Sequence, residues 1–346
     1  MPAIAYCCTC SHPVDLFLPD RAQPMLHILG LILPLFGLIV IGFVTARITR
    51  QPVEALGWLN TFIIYVALPA LFFKLLSKTP VEQLASIEFI GTNIVVTYLI
   101  FLFTFVLGII GTRGNVAEST IQGLAGAYGN IGYMGPAIAI LALGEKAAVP
   151  VALIFCFENI LHFVIAPLMM ALSGQQKQAP AALVLDVLRK IFFHPFIIAT
   201  AVGVTFAFID VELPEAVTRL VDYLAQAAAP CALFAMGVTL ALRPLKRVPL
   251  ALGYIVPIKL VIHPLLMYFM LSWIGDFDPV WIYTAVLIAS LPTATNVFVM
   301  AQQYGVWIER ASASVLITTA LSVVTVSGLL YIVTTGILPP DWWPAG

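Results

Sequence analysis

Apolar residues along this chain run in long blocks separated by short polar gaps. Each block is close to the roughly 20 residues an α-helix needs to cross a bilayer. The alternation of apolar and polar positions over roughly 10-residue strands that marks an outer-membrane barrel is not the pattern here. We read ten spans, at about 26 to 46, 54 to 76, 88 to 111, 118 to 143, 147 to 172, 190 to 209, 215 to 241, 248 to 274, 279 to 304 and 310 to 336. The expected fold is an all-α membrane protein. Between the fifth and sixth spans, the polar run from Ser173 to Pro180 divides them five and five.

A repeat supports that division. Span two runs from Glu54-Ala55 to Ala67-Leu68-Pro69-Ala70-Leu71-Phe72, and span seven from Glu215-Ala216 to Ala229-Pro230-Cys231-Ala232-Leu233-Phe234, with the same fifteen-residue step from Glu to Pro. A unit with an odd number of spans enters the membrane from opposite sides when repeated, so the two halves are expected to be inverted copies. The expected organisation is a disordered leader over 1–24, a first repeat over 25–173, a cytoplasmic linker over 174–189, a second repeat over 190–338 and a tail over 339–346. Met25 opens directly onto the first apolar block and can itself serve as a start.

Composition agrees with the pattern: 61% of residues are hydrophobic and 10% charged, against a charged share of about 25% in soluble domains. The net charge of -1 leaves no basic footprint for nucleic acid. What the charge adds is orientation. Loops after odd-numbered spans carry Arg47, Arg50, Arg113, Lys177, Arg189, Lys190, Arg243, Lys246, Arg247 and Arg310, and the other side only Arg21, Lys74, Lys78, Lys146 and Arg219. The richer side is expected in the cytoplasm of a plasma (inner) membrane protein, with both termini outside. Asp210, Glu212, Glu215, Asp276 and Asp278 then make the outer loops acidic.

Two stretches break the helical pattern where it should be continuous: Gly129-Asn130-Ile131-Gly132-Tyr133-Met134-Gly135-Pro136 in span four and Leu291-Pro292-Thr293-Ala294-Thr295-Asn296 in span nine. In hydrocarbon a freed backbone group finds no water, so such breaks survive only where protein buries them or a solvated cavity receives them. Glycine loosens the helix and proline removes a donor and clashes with the preceding turn. If the breaks meet, two half-helix N-termini and the amides of Asn130 and Asn296 face one cavity, which favours an anion. A tolerated kink explains either break alone; two breaks, each with a midspan Asn at matching places, point to a binding site.

Charges within spans are costly, at about 2.5–3.5 kcal/mol each on insertion scales, and are functional candidates by default. Lys259 in span eight can receive a carboxylate or partner a buried acid. Glu158 and His162 in span five share a helix face one turn apart; they can relay a proton, hydrogen-bond each other or pair with Lys259. Asp222 is expected in a solvated outer vestibule, and His263 reads as a satisfied buried histidine. Cys7, Cys8 and Cys10, with the lone His12, lack zinc-ligand spacing, and with Cys156 and Cys231 they read as ordinary thiols. There is no zinc-helix, phosphate-loop or nucleophile-elbow signature, so no enzyme, metal or cofactor is expected.

Taken together, Leu59-Asn60 with Ala67 to Phe73, the run Gly129 to Gly135, Lys259, and Leu291 to Val299 with Ala301-Gln302 and Tyr304-Gly305 resemble the bacterial auxin efflux carrier family, related to the plant PIN carriers and more distantly to the bile-acid sodium symporters. The resemblance implies ten spans in two inverted repeats with broken helices four and nine crossing. It also implies elevator-like movement of spans three to five and eight to ten against a scaffold of spans one, two, six and seven, which commonly dimerises. Family members move organic anions, auxin in plants and dicarboxylates such as malonate in some bacteria. Asn130 and Asn296 match the crossover asparagines and Pro292 the crossover proline. Pro136 lies later than a crossover proline should, so the first break is expected to centre on Gly129 to Gly132. The substrate-binding set is then Gly129, Asn130, Gly132, Tyr133, Lys259, Pro292, Thr293 and Asn296. The leading expectation is a secondary transporter of small carboxylates, an efflux carrier driven by membrane potential or a proton gradient, with Lys259 and the two half-helix ends receiving the anion. The alternatives are an anion-binding membrane sensor that does not move its ligand, and an intramembrane enzyme built on Glu158 and His162, for which no partner nucleophile is evident.

Overall fold

The computed structural model of the protein describes residues 22–79, 86–174, 180–209, 213–242, 248–275 and 277–339. The amino-terminal cysteines, most of the expected leader, Asp210, Glu212 and Asp276, and Lys177, Arg243, Lys246 and Arg247, expected on the cytoplasmic side, lie outside the described residues.

Among the described residues the chain is all helix, apart from one isolated bridge between Gly129 and Thr293. In chain order the helices are α1 (Ala22–Thr49), α2 (Glu54–Leu76), α3 (Ile87–Gly111), α4 (Val116–Ala127), α5 (Ile131–Leu143), α6 (Glu145–Leu172), α7 (Pro180–Phe192), α8 (Pro195–Ile209), α9 (Glu215–Leu242), α10 (Leu252–Ile274), α11 (Pro279–Ala289), α12 (Thr295–Tyr304) and α13 (Ile308–Thr334). Six of them, α2, α3, α6, α9, α10 and α13, are long and apolar enough to cross a membrane, so the protein is a multi-pass membrane protein. Shorter apolar helices cover 33–49, 131–143, 195–209 and 279–289.

Local chemistry explains the boundaries. Asn115 accepts the Glu118 N–H at 3.1 Å and caps α4, and Asp278 accepts the Val280 N–H at 2.8 Å ahead of Pro279, a residue suited to the first helical position. Two π-helical turns widen otherwise regular helices, Ile63–Ala67 in α2 and Ile258–Ile262 in α10. Each ends two residues before a proline, Pro69 or Pro264. Proline has no N–H for the carbonyl four residues back and its ring displaces that carbonyl, so the upstream backbone re-pairs in a wider turn.

The expected spans 118 to 143 and 279 to 304 are each two helices, parted at residues 128–130 and 290–294. Pro136 lies inside α5, beyond the break, as its position in the sequence suggested. The stretch expected as a linker carries α7 from Pro180, with exposed Val184, Leu185 and Leu188, and the span expected from 190 starts later, at Pro195. The leader expectation also shortens, since α1 takes up the chain at Ala22.

Packing divides the helices into two groups. One is α1, α2, α8 and α9, in which α9 packs on α1 and α2, and α8 on α2; in the other, α3 packs on α4, α6 and α10, and α13 on α12 and α10. The α1–α9 contact is close because two glycines allow it: a Cβ on Gly237 would run into the Ile39 carbonyl, and one on Gly42 into the Phe234 carbonyl. Close backbone approach through small residues is the usual way for helices to associate in lipid, where water gives no hydrophobic drive.

Candidate functional site

The two breaks cross. Tyr128 and Ala294 leave the helical conformation, at φ/ψ of -76/102 and -63/143, and the short extended strands run antiparallel. The Asn130 N–H donates to the Pro292 carbonyl at 2.8 Å and the Ala294 N–H to the Tyr128 carbonyl at 2.9 Å. Thr293 locks the crossing from outside: its hydroxyl donates to the Ala125 carbonyl at 2.7 Å, and its N–H donates to Thr318 Oγ1 at 3.1 Å. Backbone groups that the breaks set free thus re-pair with each other and with side chains, as a low-dielectric interior demands.

The N–H groups left over lie at the two half-helix starts. In the first turn of α5 the Ile131 and Met134 N–H groups are taken by Gly129 and Asn130 carbonyls, and in α12 the Val297 N–H is taken by Ala294. The N–H groups of Gly132 on one side, and of Thr295 and Asn296 on the other, have no backbone acceptor among the described residues. Gly132 and Asn296 both line a cavity of about 260 Å³ at the crossing, together with Tyr128, Gly129, Asn130, Tyr133, Asn159 and Ala294. The two half-helix N-termini therefore border one space with their positive dipole ends.

Side-chain amides extend this donor surface. Asn296 Nδ2 donates to the Tyr128 hydroxyl at 2.8 Å, and that hydroxyl donates to Asn159 Oδ1. Asn159 is held by its own Nδ2 on the Phe155 carbonyl at 2.7 Å, and Asn130 Nδ2 rests on Met236 Sδ at 3.2 Å. Rings of Tyr133, Phe155, Phe163 and Phe196 form an apolar wall, with Phe155 and Phe196 edge to face at 4.8 Å. Among the described residues, no lysine or arginine lines the cavity.

From the crossing the cavity follows Phe163, Ala166 and Pro167 of α6 and Val299, Gln303 and Tyr304 of α12 toward the carboxyl ends of those helices. On the other side Met134, Ile138 and the run from Ala285 to Ala289 are buried and close it. A neighbouring cavity of about 330 Å³ shares Ile64, Phe163 and His194 with the first and carries Arg189, which places a cation beside the approach.

Of the eight residues expected to bind substrate, Gly129, Asn130, Gly132, Tyr133 and Asn296 line the cavity. Pro292 and Thr293 are buried in the crossing itself, and Lys259 sits behind it. Lys259 has no exposed surface and donates to the Ala289 carbonyl at 2.8 Å; a Cβ on Gly129 would lie 3.2 Å from its Nζ, so the glycine leaves the ammonium its room. Glu158 and His162 share a helix face but do not bond to each other: Glu158 Oε1 accepts the Thr97 hydroxyl at 3.0 Å, while His162 stacks on Tyr128 at 4.0 Å with both ring nitrogens unpartnered. Asp222 pairs with Lys74 at 2.7 Å, beside a separate cavity of about 640 Å³. Cys156 and Cys231 are free thiols.

Sequence reasoning missed Tyr128 and Asn159. The signal for Asn159 was present, since a midspan asparagine singled out Asn130 and Asn296 and applies equally to it. Tyr128 and His194 carry no such mark, because their roles depend on helices distant in sequence.

The residues from 27 to 330 match the family model described as "Membrane transport protein". A curated relative from Rhizobium meliloti (strain 1021), named "Putative malonate transporter", is 64% identical over 320 residues, covering 92% of this chain and all of the relative.

Proposed function

The chain belongs to the membrane transport protein family, and we propose that it is a secondary transporter of small organic anions, malonate-like dicarboxylates foremost, working by elevator-like alternating access. The observation that carries this reading is the cavity at the crossing, bordered by two half-helix N-termini and three asparagines, with no fixed charge among the described residues that line it. Helix N-termini with unpaired N–H groups hold carboxylates without an ion pair that would retain them. The volume of about 260 Å³ is at or below the small end of ligand pockets, about 300–1,000 Å³, which favours a short diacid. The aromatic wall supports a second reading, an aryl acid such as indole acetate.

The wider architecture follows as part of the same proposal. Ten spans in two inverted five-span repeats, over 25–173 and 190–338, agree with the matched breaks and with the four shorter apolar helices that complement the six long ones. The group α1, α2, α8 and α9 is the scaffold and the site of homodimerisation, and the remaining helices carry the substrate. Basic residues set the side on which α6 and α12 end in the cytoplasm of an inner-membrane protein, with both termini outside; the cavity in this structure then faces inward.

Counterflow in proteoliposomes tests the reading. Vesicles loaded with unlabelled malonate should accumulate radiolabelled malonate from outside, and indole acetate inside should drive it poorly. Saturable malonate binding with no counterflow would turn the proposal to a sensor.

A further inference from the structure

Behind the crossing lies a second polar cluster that holding an anion does not require. Lys259 is placed there by the π-helical turn Ile258–Ile262. Its fully buried ammonium has two acceptors, the Ala289 carbonyl at 2.8 Å and His263 Nδ1 at 3.0 Å. No carboxylate lies within ion-pairing distance among the described residues, although Glu158 acts on it electrostatically from α6. His162, also from α6, and Nε2 of His263 complete the cluster with unpartnered nitrogens, and Tyr128 covers His162 at the end of α4. α13 faces the crossing here with Thr318, a hydroxyl and not a titrating group.

A buried cation without a paired carboxylate is expensive, and membrane proteins keep such groups where charge has to change or move. Here the position supplies the reason. Ala289 ends α11 just ahead of one crossing strand, and Gly129 belongs to the other, so Nζ lies behind the crossing, against Gly129 of one strand and the helix end that leads into the other. One thickness of backbone separates the ammonium from a bound anion, in surroundings of low dielectric where opposite charges attract strongly. Anion loading then favours the protonated state, and protonation favours the anion by the same factor. The hydrogen bond between Nζ and Nδ1 joins two bases. With the proton present the imidazole accepts from the ammonium; with it gone the neutral amine and imidazole can keep the contact.

Building on the transport reading above, we propose that the Lys259–His263 pair is the coupling site, taking up one proton when the substrate anion binds and releasing it when the anion leaves. The proton comes from and returns to the aqueous side to which the site is open, and no bond other than N–H forms or breaks. In this assignment Lys259 acts on the anion through the crossing and does not grip it.

The test uses the full chain in sodium-free proteoliposomes with membrane potential clamped and a pH dye inside. Wild type should accumulate radiolabelled malonate down an inward proton gradient, with acidification of the lumen that tracks uptake. Lys259→Arg keeps a charge that cannot be given up, and should lose the malonate-linked dye signal and flatten the pH profile of uptake. His263→Asn should shift that profile, and serves where the arginine variant does not insert. Proton movement undiminished in both variants, or wild-type accumulation that ignores the proton gradient, overturns the proposal. Absence of malonate counterflow in wild type would instead remove the transport reading beneath it.

Discussion

At the scale of single residues the crossing rests on amides more than on prolines. Asn130 and Asn296 stand at the two helix starts, and Asn296 reaches Asn159 through the Tyr128 hydroxyl, so one bonded chain spans both half-sites. Losing an amide that meets a charged ligand costs about 1.5–3 kcal/mol. Asn130→Ala and Asn296→Ala should each weaken malonate counterflow at least about tenfold, while the protein still inserts and purifies; wild-type counterflow in both variants would take the crossing out of the site. Lys259 shows where residue-level reading stops. Its midspan charge was legible as important, but whether it meets substrate or stands behind it depends on the helical phase, which the π-helical turn resets by part of a turn.

At the scale of elements, proline position decided more than proline presence. Pro292 lies within a break, Pro136 sits inside a regular helix, and Pro69 and Pro264 each follow a widened turn by two residues. The half-helices were readable because two Gly- or Pro-bearing stretches fell in matching spans. Helix α7 was not, since its run of apolar positions is shorter than a span and follows polar residues that read as a linker. Glycine matters most at the α1–α9 contact. Gly237→Leu forces these helices apart and should destabilise the protein by about 1–3 kcal/mol, read as a lowered unfolding temperature in detergent; an unchanged temperature would mean the helices do not approach as closely as the Ile39 carbonyl requires.

At the scale of the molecule, the cavity runs from the crossing toward the ends of α6 and α12 and is closed on the opposite side by the apolar core. On the proposed orientation, which puts that end in the cytoplasm, Arg189 stands beside the approach, where a positive charge would draw anions in. Gln303→Cys, in a background free of other cysteines, should react with a membrane-impermeant thiol reagent in inside-out vesicles. Malonate should slow that reaction, and labelling only from the outer face would reverse the orientation.

The sequence by itself determined the class of protein, the all-helical content, the two breaks and the residues flanking them, because each is written in local terms: hydrophobic run length, the missing N–H of proline and the looseness of glycine. Family membership was legible for the same reason, in short motifs. Only the tertiary structure decided that the breaks pair through the Asn130–Pro292 and Tyr128–Ala294 bonds, that Tyr128 and Asn159 join the cavity, and that Lys259 lies behind it. Those facts depend on which helices meet and on the rotation of each about its axis, and neither is encoded in the apolar pattern of helices surrounded by lipid and by one another.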